Sequence, residues 1–319
     1  MVRPAHPELV LVIPCFNEEA ALPSLLDGLK QFIVSQSSVS ARVLFVNDGS
    51  SDRTGELLDA ACAQDNRFAC LHFSRNFGHQ TAVSAGLAHA HGDAVAVLDA
   101  DLQDPPHVIA GMIEKWREGY DVVYGVRQNR KEGFVLRFAY ATFYRALRWV
   151  ANIDIPLDAG DFSLMDKKVV DEINRMPEHN RFVRGLRGWV GHKQIGLPYE
   201  RQARSAGEAK YNLRRLTRLA LDGIINFSSV PLRLASWGGA FASAIGFIMM
   251  LWAVASAFIF QRTPSGWASL AVMILFFCGI QLLVLGIMGE YVGRIFDEVK
   301  NRPHYIVGHK AGWLEKPGV

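Results

Sequence analysis

Residues 94–106 read AVAVLDADLQDPP. The first half is a short, uninterrupted apolar run. The second half is acidic and ends in two prolines. A run of this length bounded by turn residues predicts a strand buried on both faces. Side chains alternate along a strand, so Asp99 and Asp101 point the same way at its end. The same grammar recurs along the first half of the chain. Strands are predicted at Leu9–Phe16, Val43–Val46, Ala69–Phe73, Ala94–Leu98 and Asp121–Val126. Helical patterns lie between them, as at Glu18–Val34 and Pro105–Glu118. Strand–helix alternation predicts a mostly parallel sheet covered on both faces, with ligands bound beyond the carboxyl ends of the strands.

Those ends are polar. The first is Pro14-Cys15-Phe16-Asn17-Glu18, the second Asn47-Asp48-Gly49-Ser50-Ser51-Asp52, the fourth Asp99 to Pro106. Ser51 or Asp52 is expected to cap a helix. One cap needs one side chain, so capping leaves the second Asp of Asp-x-Asp unexplained. A carboxylate edge cannot hold a nucleoside diphosphate directly. It can hold Mg2+ or Mn2+, which takes one or two carboxylates and keeps phosphate oxygens as further ligands.

Half of the 319 residues are hydrophobic and 20% are charged, which excludes a disordered chain or a charged coiled coil. The net charge of +3 gives no reason to expect nucleic acid as a partner. None of Cys15, Cys62, Cys70 and Cys278 sits in a C-x-x-C pair, so neither a zinc site nor a disulfide framework is expected.

The hydrophobic content is concentrated. Residues 234–260 and 267–289 carry no charge, and each is long enough to cross the hydrocarbon core of a bilayer. Gln261–Gly266 joins them, and Pro264 helps turn the chain, so a transmembrane hairpin is expected. Arg214, Arg215, Arg218 and Arg233 precede it, and Arg294, Lys300 and Arg302 follow it. The excess of cations at both ends places both termini, and the catalytic domain, on the cytoplasmic side of the inner membrane. The opening MVRPAHPEL has no apolar core of a signal peptide. Gly238, Ala242 and Gly246 form a small-residue stripe suited to close helix packing and self-association. Residues 134–152 and 211–227 mix arginine with apolar residues and are expected to lie in the headgroup plane. The expected domains are a catalytic domain at 1–208, a juxtamembrane helix at 209–233, spans at 234–260 and 267–289, and a cytoplasmic tail at 290–319.

Several motifs occur together: PCFNE at 14–18, NDGSSD at 47–52, SRNFGHQTA at 74–82, DADLQDPP at 99–106, GVRQNR at 125–130, DAGDFSLMD at 158–166 and RSAGEAKY at 204–211. As a set they resemble the family 2 glycosyltransferases of GT-A fold, a Rossmann-like mixed α/β sheet. The closer likeness is to the polyisoprenyl-phosphate glycosyltransferases, the bactoprenol glucosyltransferases and dolichol-phosphate mannose synthases. The resemblance implies inverting, metal-dependent transfer of a hexose from a sugar nucleotide to polyprenyl (undecaprenyl) phosphate. It implies that Pro14, Asn17, Glu18, Asp48, Asp99 and Ala100 line the nucleotide pocket, and that Arg204 and Lys210 close over the diphosphate. Asp101 and Gln103 would hold the metal, Mg2+ or Mn2+. Arg127 and Arg130 would grip the acceptor phosphate, Asp161 would sit beside the acceptor, and Asp161, Asp101 and Arg127 would carry catalysis. A homo-oligomer such as a tetramer is also implied. GDFSLM resembles the glucosyltransferase version of its motif, which favours UDP-glucose. GDP-mannose, UDP-N-acetylhexosamine and a modified aminopentose donor stay open, as does a non-catalytic sugar-nucleotide binder. His79, His89 and His91 receive no role. The string Arg145-x-x-Arg148-Trp149 lacks the Gln of processive synthases, so a single transfer is expected.

Overall fold

The computed structural model describes residues 3–101, 103–128, 159–179, 181–200, 230–259 and 266–314. The chain forms two compact units. One comprises the residues before Leu216, apart from Trp149–Asn152, together with Arg302–Val319; the other includes Leu216–Asn301.

The first unit opens with β1 (Glu8–Cys15), α1 (Leu22–Ser35), β2 (Ser40–Asn47), α2 (Thr54–Gln64), β3 (Phe68–Phe73), α3 (His79–His89), β4 (Ala94–Val97), α4 (Val108–Arg117) and β5 (Val122–Gln128). It continues with β6 (Ala159–Asp166), α5 (Lys167–Arg175), α6 (Val183–Trp189) and β7 (Gln194–Glu200). The second unit contributes α7 (Val230–Ile259) and α8 (Trp267–Lys300), and the chain returns to the first unit as β8 (Val307–Gly312).

The eight strands make one sheet in the order β7-β5-β6-β4-β1-β2-β3-β8. Strands β4, β1, β2 and β3 are mutually parallel. All of β1 but its first residue is buried, as a strand covered on both faces must be. Leu11, Ile13, Leu25, Leu29, Phe45 and Trp116 share the core on one face. On the other, α3 lies so close to β1 that a Cβ on Gly86 would stand 2.1 Å from Val12 Cγ1. Only a glycine lets the two backbones approach this far.

Strands β6 and β8 reverse the direction. The β4–β6 register pairs Val97 with Ser163. Two residues further along β4 and two residues back along β6 bring Asp99 and Asp161 to the same edge. The antiparallel strand thus delivers a fourth acidic segment to the carboxyl ends of the parallel ones.

The C-terminal boundaries differ from those expected. The first apolar helix begins at Val230, not 234, and the second runs on to Lys300, past 289. Beyond its apolar part, an i,i+4 pair of Glu290 and Arg294 at 3.3 Å supports continued helix. The helix ends at Asn301, whose left-handed φ of 45° closes it, and Pro303 follows. The described part of the expected tail thus continues the helix to Lys300 and then forms a strand, Val307–Gly312. Strand β8 pairs with β3, covering an edge that would otherwise expose an unpaired ladder. Tyr305 stacks on Phe73 with ring centroids 5.0 Å apart. In the second unit, Gly246 of the small-residue stripe faces α8, where a Cβ would meet Phe277 Cζ at 3.3 Å. Windows at Leu232–Met249 and Phe276–Lys300 are apolar and long enough to be membrane spans. The segments expected in the headgroup plane lie outside the described residues.

Candidate active site

The strand ends converge on an open cleft of about 430 Å³. Its described lining is Pro14, Cys15, Phe16 and Glu18 from β1, Asp48 from β2, Asn76, Gly78, His79 and Ala82 around the start of α3, and Asp99, Ala100 and Asp101 after β4.

Two loops shape the floor. Asn17 adopts a left-handed φ of 56°. Its N–H donates to Ser50 Oγ at 3.0 Å, and its side-chain oxygen accepts from Ser51 N–H at 2.8 Å. Asn17 therefore ties the β1 loop to the β2 loop and is not among the residues lining the cleft. Gly49 has φ +65°, and a Cβ there would fall 2.3 Å from the Arg75 carbonyl carbon, so the β2 and β3 loops pack backbone on backbone. Asp48 fixes that contact: its two oxygens accept from Phe77 N–H at 2.7 Å and Gly78 N–H at 2.9 Å. Burial raises the Asp48 pKa, and the two N–H bonds partly offset it.

The carboxylates after β4 are distinct. Asp101 accepts from the Gln103 backbone N–H at 3.1 Å. Asp99 Oδ1 is buried and makes no hydrogen bond. Burial pushes the Asp99 carboxyl up to about 6; His79 opposes the rise, while Asp161, Asp104 and Asp101 add to it. Accumulated negative charge around a carboxylate oxygen that makes no hydrogen bond among the described residues suits a hard divalent cation.

Asp161 stands opposite on β6 with its side chain 4% exposed. Arg184 grips it as a fork, Nε to Oδ1 at 2.8 Å and Nη2 to Oδ2 at 3.0 Å. Oδ2 also meets Gln80 Nε2 at 3.2 Å and His79 Nε2 at 3.3 Å. Burial alone would raise its pKa. Arg184, then His79, outweigh burial and hold the carboxyl well below the usual carboxylate range. A carboxylate so held stays ionised near neutral pH.

Arg127 is engaged elsewhere. Its Nε donates to the Tyr199 hydroxyl at 3.4 Å, and its Nη2 lies 3.8 Å from Asp104 Oδ2. The Tyr199 hydroxyl in turn donates to Asp104, which is fully buried. Burial would lower the Arg127 pKa, but Tyr199 and Asp104 raise it. Arg127 does not line the described cleft. Arg130, Arg204 and Lys210 lie outside the described residues.

The site also contains residues for which no role was expected. His79 and Gln80 stood inside the quoted SRNFGHQTA motif, and Asp104 inside DADLQDPP. Arg184 and Tyr199 carried no local signal at all.

A parallel core whose ends present Glu18, Asp48, Asp99 and Asp101, closed by a reversed strand carrying Asp161, defines a glycosyltransferase of the GT-A type. The chain belongs to glycosyl transferase family 2, which matches residues 10–173. It is 49% identical over 308 residues to the uncharacterized glycosyltransferase YkcC of Bacillus subtilis, covering 96% of this chain and 95% of that one. It is 40% identical over 301 residues to the bactoprenol glucosyl transferase of Shigella phage SfII, covering 94% and 97%. Among solved structures, a mannosyltransferase from Pyrobaculum calidifontis aligns over 92% of this chain and 88% of its own at 15% identity and a TM-score of 0.48; so distant a likeness says nothing about donor or metal.

Proposed function

We propose that this glycosyltransferase moves one hexose, glucose from UDP-glucose, onto undecaprenyl phosphate at the cytoplasmic face of the membrane. The observation that carries the reading is the acidic cleft on a chain aligned nearly end to end with a bactoprenol glucosyl transferase. Sequence similarity to that enzyme supports glucose over the other donors. The apolar helices support a lipid acceptor.

Strand β8 supports the multi-pass reading. It follows α8 yet sits in the same sheet as the strands that precede α7, so both ends of the hairpin must lie in one compartment. Two crossings satisfy this and one does not. Arg233 before the spans and Arg302 after them favour the cytoplasmic side.

In the reaction, an oxygen of the acceptor phosphate attacks the anomeric carbon as the bond to the nucleoside diphosphate breaks. The electron pair leaves with the diphosphate, and the configuration inverts. A phosphomonoester has its second pKa near ~6, so the acceptor is mostly a dianion at neutral pH and brings its own nucleophile. No side chain has to take a proton, which agrees with the locked state of Asp161. Pro14, Phe16 and Asp48 hold the nucleoside end. Asp101 and Gln103 would hold Mg2+ or Mn2+, with Asp99 beside them; when bound, the ion stabilises charge on the leaving diphosphate. Arg204 and Lys210 would assist the leaving diphosphate.

The test is a panel of sugar nucleotides incubated with the purified full-length protein and undecaprenyl phosphate, read by nucleoside diphosphate release. The reading expects release from UDP-glucose that depends on the lipid. Preferential release from GDP-mannose would refute the donor assignment, and release independent of the lipid would refute the acceptor.

A further inference from the structure

Asp104 is the one acidic member of DADLQDPP that the reaction above leaves without a task. Among the described residues it is also the most enclosed carboxylate, with its side chain 0% exposed. A carboxylate taken out of water is costly unless it is hydrogen-bonded and paired. Asp104 is both. The Tyr199 hydroxyl donates to its Oδ1, and Arg127 Nη2 lies 3.8 Å from its Oδ2. Arg127 Nε donates in turn to the Tyr199 hydroxyl at 3.4 Å, which closes a triangle.

Both partners are fixed by the sheet. Strands β5 and β7 are parallel neighbours, and their register sets Arg127 beside Tyr199. The Tyr199 ring packs edge-on against the buried ring of Phe162, with centroids 5.4 Å apart. A Cβ on Gly125 would fall 2.7 Å from Tyr199 Cε1, so the glycine leaves room for that ring. On the loop side, Asp101 Oδ1 accepts the Gln103 backbone N–H, which ties the acidic turn within itself. Asp104 comes next, followed by Pro105 and Pro106, which have no N–H to tether the chain. Their carbonyls accept from Val108 and Ile109 as α4 begins. The Asp104 side chain thus links the turn to β5 and β7.

We propose that Asp104 is the anchor of the metal-binding turn, held by Tyr199 and Arg127, and that these three positioning residues keep Asp101 and Gln103 ready for the divalent cation. Asp104 is enclosed, so it acts through the turn and not on the ion. Mg2+ and Mn2+ reward ligands that already stand in the right geometry, and a turn free to drift must be ordered when the ion binds. The proposal rests on the placement of the cation at Asp101 and Gln103 argued above.

The test is Mn2+ titrated alone into the purified full-length protein in detergent, with the free ion read by electron paramagnetic resonance and a melting curve taken for each variant. Wild type should bind Mn2+, and Asp101→Ala should lose it. Outer partners of metal ligands are worth roughly 10- to 100-fold in affinity. Tyr199→Phe and Asp104→Ala should each weaken Mn2+ binding by about tenfold or more. The double variant should fall no further than the weaker single one, because hydroxyl and carboxylate act as one unit. Asp104→Asn, whose amide oxygen can still accept from Tyr199, should keep most of the affinity. A role in stability alone would lower the melting temperature and leave the Mn2+ dissociation constant unchanged; that result overturns the proposal. So does an additive loss in the double variant, or binding by Asp104→Asn as weak as by Asp104→Ala. Should Asp104→Ala fail to fold, Tyr199→Phe, which deletes a single oxygen, decides alone. If wild type binds no Mn2+, or no more tightly than Asp101→Ala, the metal placement fails and this proposal fails with it. A loss in Asp101→Ala beside unchanged binding in Tyr199→Phe defeats only the proposal.

Discussion

Asp161 accepts bonds from Arg184, Gln80 and His79 on two oxygens, and this small network ties a buried charge to the cleft. Removing one partner of a buried ion pair strands the other, at a cost of about 3 kcal/mol. Arg184→Ala should therefore lower the melting temperature clearly; an unchanged melting temperature would show that Gln80 and His79 suffice. The pH dependence has a definite sign. Because the folded carboxyl of Asp161 lies below its unfolded value, the stability it contributes is present above roughly pH 4 and is lost as pH falls through the folded value. The melting-temperature gap between wild type and Asp161→Asn should be wide at pH 7 and begin to shrink only below about pH 4. A gap independent of pH would contradict the assignment. The sequence made Asp48, Asp99 and Asp101 legible because each ends an apolar run. It could not show that Asn17 turns to Ser51, or that Arg184, far along the chain, meets Asp161. Those are consequences of nonlocal packing.

At the scale of elements, the strands β1 to β5 were readable because parallel strands buried on both faces must be apolar throughout. β7 and β8 were not. They are partly exposed strands at the two ends of the sheet, and polar residues such as His309 and Lys310 break any apolar run. β6 appeared only as a motif, and its reversed direction depends on pairing with β4, which no local pattern encodes. Helix α3 positions His79, and Gly86 sets its distance from β1. Gly86→Ala forces a Cβ against Val12 and should cost about 1–3 kcal/mol. Thermal melting checks the loss, and a measurable fall in activity should accompany it if α3 shifts. Truncation after Asn301 removes β8 and bares the β3 edge. The shortened chain should aggregate on extraction; a monodisperse, active product would show that β8 is dispensable.

For the whole molecule, strands that precede the two apolar helices in the chain and the strand that follows them share one sheet. Cysteine placed at Ser265, between the two spans, should react with an impermeant maleimide in intact cells. Cysteine at His309 should react only after the membrane is opened. Labelling of both in intact cells, or of neither, would contradict the proposed topology. The catalytic cleft then works from the side where both termini lie.

The central claim is that this acidic cleft uses a divalent cation to pass a sugar to a phosphate-tipped lipid. The most direct measurement is mass analysis of the lipid after incubating purified full-length protein with UDP-glucose, undecaprenyl phosphate and Mn2+, alongside EDTA and Asp101→Ala controls. The account predicts a hexosyl-phosphate lipid with Mn2+ and none in either control. Equal product in EDTA or in Asp101→Ala, or free glucose with unmodified lipid, would contradict it.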